Sequence, residues 1–240
     1  MKRSATSQKR GEAGFSLIEL GISMLILVIV MGAVFSQINQ IQKKTKVESL
    51  KLDLTQESRE FMDQFARDLH MSGYPTSKMY QNFSGLPSSN YALGLVMAKP
   101  SELRFEADIV GDGTVYSVSY KYFASDVNDP NCPCVRRAVT PKDSTVNPVT
   151  GYPNAVYYTE IQNVIDPTGM AQGVFTYFQA SGDSVDVGSG VDINSAAGQA
   201  TIQQIDAIKA NLNTRSLQFD PHTGQRTVVN SMATIAELEN

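Results

Sequence analysis

The side chain best placed for unusual chemistry is Glu19, the single charged residue in the apolar run of residues 15–35. An ionised carboxylate costs about 2.5–3.5 kcal/mol at the centre of a membrane-spanning helix, and somewhat less near its end. Such a residue needs a partner, and residues 1–14 offer no cation at helical spacing from it. We therefore expect Glu19 to have a specific role that a plain apolar segment does not require.

Two cysteines, Cys132 and Cys134, flank Pro133 in a turn-rich segment. A disulfide between them would span one residue, which makes it strained and reducible. Three states remain open: this bond, free thiols, or pairing with another subunit. A metal site is disfavoured because no further cysteine and no nearby histidine completes a tetrahedral set.

Three acidic residues, Asp183, Asp186 and Asp192, lie in a Gly/Ser/Asp-rich stretch at 180–200. Carboxylates with backbone carbonyls can ligate calcium, so the three are weak calcium candidates. A solvated loop is the favoured interpretation.

A small basic-aromatic patch for DNA uptake is conceivable around Arg136 and Arg137, with Lys121 and Tyr122 nearby. The charge balance argues against it. The formal net charge is −4, and residues 1–14 hold four basic residues against one acidic. The remainder is more acidic still and has no general attraction for phosphate backbones, so no nucleic acid is expected as a partner. Arginines satisfied on a surface strand are the favoured interpretation.

Enzymatic function is not expected. The chain has two histidines, and it contains no nucleophile elbow, phosphate loop, dinucleotide fingerprint or zinc-protease helix. We predict neither catalytic residues nor a cofactor.

The apolar run itself predicts a transmembrane helix. Its 21 residues would span about 31 Å, which matches the hydrocarbon thickness of a bilayer. A secretory signal has a shorter apolar region of about 7–15 residues and no use for a carboxylate. A plain membrane anchor explains the length but leaves Glu19 unexplained.

The residues around this run resemble the signal of type IV prepilins and type II secretion pseudopilins: Gly14-Phe15-Ser16-Leu17-Ile18-Glu19-Leu20. The resemblance implies cleavage after Gly14 by a prepilin peptidase that also methylates the new N-terminal Phe15. It implies that Glu19 faces the N-terminus of a neighbouring subunit. It also implies a cytoplasmic leader, a single pass through the inner membrane, and a periplasmic bulk.

The helix is expected to continue beyond the membrane. An apolar stripe recurs at helical spacing over residues 36–75, and Gly73-Tyr74-Pro75 is a stop signal. The stripe comprises Val47, Leu50, Leu54, Phe61, Phe65 and Leu69. After residue 76 the pattern alternates in twos, with a hairpin around Gly111-Asp112-Gly113 and strands near 135–139, 156–164, 174–179, 207–214 and 234–238.

The expected architecture is α+β: a leader (1–14), a transmembrane helix (15–35), its amphipathic continuation (36–75), and a β-rich head (76–240) with antiparallel sheet, as in pilins. The order of elements resembles PilW-type minor pilins and J-type minor pseudopilins. That resemblance implies a structural subunit that inserts into or primes a type IV pilus. The first alternative is a J-type subunit of a type II secretion pseudopilus. A second alternative, ranked below it, is a DNA-uptake pilin. The implied partners are other subunits, the peptidase, and the inner membrane with its assembly platform.

Overall fold

The computed structural model describes residues 16–74, 91–127, 130, 132–165, 173–219, 224, 226–228 and 232–238. Its contacts divide the chain into two compact units after Glu48. The first unit consists, in its described part, of helix only. The second holds the rest of that helix and all the strands, so the fold is α+β, as the sequence predicts.

Helix α1 (Leu17–His70) is the longest element, and Gly73 follows its last turn. Gly73 has φ +85°, a left-handed conformation that an L side chain rarely adopts. Its N–H donates to the carbonyl of Glu106 at 2.9 Å, and Asp108 N–H donates to the carbonyl of Tyr74 at 2.8 Å. The predicted stop signal therefore also ties the helix end to the sheet.

Twelve strands are found among the described residues, and a second helix, α2 (Ala196–Ile202), begins after its N-cap, Ser195. The strands are β1 (Gly94–Ala98), β2 (Glu102–Ala107), β3 (Tyr116–Phe123), β4 (Cys134–Pro141), β5 (Tyr157–Gln162), β6 (Phe175–Phe178), β7 (Ser184–Val185), β8 (Val191–Asp192), β9 (Ala207–Leu212), β10 (Arg215–Phe219), β11 (Arg226–Val228) and β12 (Met232–Glu237).

The strands form three antiparallel sheets. The largest has the order β5-β4-β3-β2-β1-β8, a second has the order β12-β9-β6-β7, and β10 pairs with β11 alone. The predicted hairpin is β2–β3, in which Ala107 pairs with Tyr116 across the turn. The interpretation of 180–200 as loop was wrong in part, because β7, β8 and the start of α2 lie there.

The core of the second unit lies between the C-terminal part of α1 and the two larger sheets. Phe65 is fully buried, and its ring lies 5.2 Å from that of Tyr120 and 5.8 Å from that of Phe175. Phe61 and Leu69 are buried on the same helix face. The predicted stripe is therefore the face that packs on the sheets, and it is buried from Phe61 onward.

Candidate functional site

The first half of α1 exposes apolar side chains where a soluble helix would cover them. Among the described residues, α1 is long and apolar enough to cross a membrane, and its most apolar segment has no buried residue. Exposed contiguous apolar surface of this kind requires an apolar environment outside the chain. Its large exposed residues are Leu17, Ile18, Leu20, Ile22, Met24, Leu25, Ile26, Leu27, Val28, Ile29, Val30, Met31, Val34 and Phe35.

Glu19 lies in the first turn of this helix. The N–H of Ser16 donates to Glu19 Oε2 at 3.2 Å, and the N–H of Ile18 donates to Ser16 Oγ at 3.4 Å. Ser16 and Glu19 thus occupy the positions of a capping box, in which serine and a glutamate three residues later satisfy free N–H groups at a helix start. The sequence analysis missed this local partner, although the Ser-x-x-Glu spacing signals it.

One carboxylate oxygen of Glu19 remains available. Oε2 is held by Ser16, and Oε1 makes no hydrogen bond to another described residue. The carboxylate can therefore cap its own helix and still receive a cation. Gly14 and Phe15, the predicted cleavage and methylation positions, lie outside the described residues.

In the second unit, Asp68 joins α1 to the largest sheet. Its Oδ2 accepts from the Tyr120 hydroxyl and from Arg137 Nε, both at 2.7 Å, while Gln64 Nε2 donates to Oδ1 at 2.6 Å. Burial raises the pKa of Tyr120 well above its usual value, and the charge of Asp68 raises it further. The phenol therefore remains a donor, and the buried carboxylate has its charge balanced by Arg137.

Arg136 is also ion-paired, on the other face of β4. Its Nη1 donates to Asp126 at 2.6 Å, and its guanidinium lies 4.9 Å from the centre of the Phe123 ring. Lys121, the third cation of the conceivable DNA patch, lies 3.4 Å from Glu102. Both arginines are thus ion-paired with aspartates, and Lys121 lies beside a glutamate.

Cys132 and Cys134 are joined to each other by a disulfide. Arg136 Nη2 donates to Cys132 Sγ at 3.6 Å, and the carbonyl of Pro133 accepts from Val164 N–H at 2.9 Å. The disulfide and this hydrogen bond therefore hold the segment before β4 next to the end of β5.

A buried ion pair holds the segment after β4. Lys142 Nζ donates to Glu106 Oε2 at 2.6 Å and to the carbonyl of Tyr91 at 2.6 Å, and both charged side chains are almost completely inaccessible to solvent. Leu93 N–H donates to the same carboxylate at 3.0 Å. Burial raises the pKa of Glu106, with Lys142 opposing the rise. Sequence patterns did not reveal this pair, because its members are 36 residues apart.

The three calcium candidates are not brought together. Asp183 accepts from the hydroxyl of Ser181, Asp186 from the N–H of Gly188, and Asp192 from the N–H of Asn194. Within the described ranges, no group of three His, Cys, Asp or Glu side chains is arranged to hold a metal ion. Each aspartate instead forms a local turn contact, so the calcium interpretation gains no support.

No family model matches the chain, and neither the curated proteins nor the solved structures contain a significant match.

Proposed function

We propose that this chain is a minor pilin-like structural subunit of a filament assembled at the bacterial inner membrane. A prepilin peptidase cuts after Gly14 and methylates Phe15, the helix crosses the membrane once, and the head lies in the periplasm. The observation that carries the proposal is the carboxylate of Glu19 at the start of an exposed apolar helix, within the motif that resembles the prepilin signal.

The carboxylate gains a function through the cleavage. Removal of residues 1–14 creates an ammonium group at Phe15, and Oε1 of Glu19 is free to receive the ammonium of a neighbouring subunit. In a low-dielectric setting the attraction within such a pair is strong and falls as the charges separate, yet the cost of desolvating both charges offsets much of it. The pair would set the axial register of an entering subunit more than it would stabilise the filament.

The continuation of α1 supports a subunit role over that of a plain anchor. A plain anchor needs only an apolar span and a tether. Here the same helix supplies Phe61, Phe65 and Leu69 to the core of the head and holds the largest sheet through Asp68. A helix whose C-terminal part is built into the core in this way is more than a tether, which favours a subunit role.

Processing is the first test. Co-expressed with a prepilin peptidase, the chain should lose residues 1–14 and gain one methyl group on Phe15, as read by mass spectrometry of the intact protein and its N-terminal peptide. Gly14→Leu should block cutting, whereas Gly14→Ala is the matched small-residue control. A mature N-terminus beyond residue 35 would identify a removable secretory signal and overturn the proposal.

Assembly is the second test. Glu19→Gln replaces the carboxylate with a group of the same shape, so membrane level and leader removal should stay near normal while assembly falls. Glu48→Gln, on an exposed position of the same helix, is the control. The number of filaments per cell measures assembly if the chain is a pilus subunit. The amount of secreted substrate measures it if the chain is the alternative, a J-type pseudopilin. Normal values of both, with the variant shown to be incorporated, would contradict the role given to Glu19.

A further inference from the structure

An open groove of about 660 Å³ lies over one face of β1, β2 and β3. Its floor is formed by Glu102 and Arg104 of β2, and its far wall by the segment from Val149 to Pro153. The volume falls in the range of ordinary small-molecule sites. The groove belongs wholly to the second unit and has no part in the membrane helix.

The floor of the groove is preformed. Arg104 Nη1 donates to the carbonyls of Pro148 and Val149 at 2.9 and 2.6 Å, and Nη2 lies 2.9 Å from Glu102 Oε1. Gly151 covers the guanidinium so closely that a Cβ at this position would lie 3.0 Å from both terminal nitrogens. The wall is thus held by the arginine, and no rearrangement is needed to form the groove.

The groove carries an excess of positive charge. Lys99, Arg104 and Lys121 line it against one carboxylate, that of Glu102, whereas the whole chain has a net charge of −4. Lys99 also lines the groove, and its ammonium has no hydrogen bond or ion pair with another described residue. The Lys121 side chain is 39% exposed at the rim; its ammonium lies 3.4 Å from Glu102 Oε2 and 5.5 Å from the centre of the Phe123 ring, while Arg104 binds the other oxygen of Glu102. One carboxylate thus faces two cations, which leaves the exposed side of the Lys121 ammonium for a ligand. Positive charge concentrated in a concave site attracts anions.

Two phenols complete the wall, those of Tyr152 and Tyr157. Burial raises the pKa of Tyr152 to about 12, so it adds no negative charge at neutral pH. The Tyr157 hydroxyl shares a hydrogen bond of 3.1 Å with Ser119. The rings therefore offer flat, neutral surface beside the cations.

We propose that this groove is a binding site for a small ligand that carries a carboxylate or a phosphate, with Lys99 and Lys121 as its charge contacts. The site is independent of membership in a filament.

Isothermal titration calorimetry of the full-length protein in a nonionic detergent tests the proposal. The probes are glutarate for the carboxylate, inorganic phosphate for the phosphate, and glutaramide as the neutral isostere of glutarate. At least one anion should bind saturably with a Kd of about 1 mM or tighter at low ionic strength, whereas glutaramide should not bind. The anion that binds more tightly identifies the charged group for which the site is built.

Lys99→Gln and Lys121→Gln should each weaken anion binding about fivefold, the scale of one partly exposed ion pair. Lys209→Gln, on β9 of the other sheet, removes the same charge away from the groove and is the matched control. Absence of saturable binding by either anion up to about 10 mM overturns the proposal. It is equally overturned if glutaramide binds as well as glutarate, or if Lys209→Gln weakens binding as much as the groove variants do.

Discussion

Two stretches of one helix, residues 17–48 and residues 61–70, differ in whether their large apolar side chains are exposed or buried. Leu27 and Ile29 are 58% and 64% exposed, whereas Phe65 and Leu69 are completely buried. The side chains are chemically alike, so what differs is where their partners are. In the second stretch the partners belong to this chain, and in the first they must be supplied by lipid or by other proteins.

The charged side chains of the two parts also differ in where they find their partners. In the apolar part of the first stretch the only carboxylate is Glu19, which has no ion pair with a described residue, whereas the second unit pairs Asp68 with Arg137 and Glu106 with Lys142. A buried charge is tolerated only when it is paired and hydrogen-bonded. The second unit therefore pairs the charges that it buries, although Glu106 Oε1 is buried without a hydrogen bond, whereas Glu19 has no cationic partner among the described residues.

The largest expected effect is in the buried stretch. Phe65→Ala removes a ring that contacts rings from both larger sheets, so it should lower the free energy of unfolding by about 3–5 kcal/mol. Leu52→Ala, at a position 70% exposed on the same helix, should change it by less than about 0.5 kcal/mol. Urea unfolding of the full-length protein in detergent measures both. Equal effects would show that the helix does not pack on the sheets.

A smaller loss is expected from opening a buried ion pair. Lys142→Met leaves the carboxylate of Glu106 buried without its cation, at a cost of about 3 kcal/mol, the lower end for one-sided removal. The double variant Lys142→Met with Glu106→Leu should recover most of that loss, because no unpaired charge then remains. A double variant no more stable than the single one would show that the two side chains do not act as a pair. The same urea titration provides the measurement.

The exposed stretch should respond in membrane affinity instead of stability. Val28→Arg places a charge inside the apolar run, which costs about 2.5 kcal/mol on insertion. The fraction of protein that resists alkaline extraction from membranes should fall accordingly. Leu52→Arg, outside the apolar run, should leave that fraction unchanged. If both variants stay equally membrane-bound, the apolar run does not cross the bilayer.

The smallest effect is a pH dependence in the head. Burial raises the pKa of Glu160, Asp68 raises it further, and Arg137 opposes the rise. The folded state therefore binds this proton more tightly than the unfolded chain does. The stabilisation that comes from the protonated carboxyl of Glu160 is fully present below the ordinary glutamate pKa of 4.5. It is lost as the pH rises through the higher pKa of the folded state.

Glu160→Gln has no carboxyl group to ionise, so it does not lose this stability as the pH rises. The Tm of the variant relative to that of the wild type should consequently rise between about pH 4 and pH 7. Val156→Ala, an exposed neighbour without an ionisable group, serves as the control for the pH series. A Tm difference that falls with pH would mean that the carboxylate is stabilised in its charged form.

The elements with strong local signals were predictable. The stop at Gly73 and the hairpin of β2 and β3 follow from residues adjacent in sequence, and α+β was the correct class. Strand β1 was missed because four consecutive apolar residues follow Gly94, without the alternation that marks a half-buried strand. Helix α2 was missed because it is short and lies in a Gly/Ser/Asp-rich stretch that resembles a loop.

The buried polar groups were predictable only where their partners are local. Glu102, Arg104 and Glu106 alternate with apolar residues along β2 and so look solvent-facing, yet all six residues of the strand are buried. Their burial depends on residues as far away as Val149, 45 positions along the chain from Arg104. Periodicity describes which side of a strand a residue faces, and it carries no information about what covers that side.

The attachment of α1 to the head has a mechanical consequence. Asp68 lies two residues before the helix end and binds Tyr120 of β3 and Arg137 of β4. Both strands are interior to the largest sheet, whose edges are β5 and β8. The helix also contacts an edge strand, because the N–H of Gln162 in β5 donates to Glu57 Oε1 at 3.2 Å. A tensile load carried along residues 49–70 is therefore divided between this edge contact and the interior strands at Asp68, where hydrogen bonds on both sides share it.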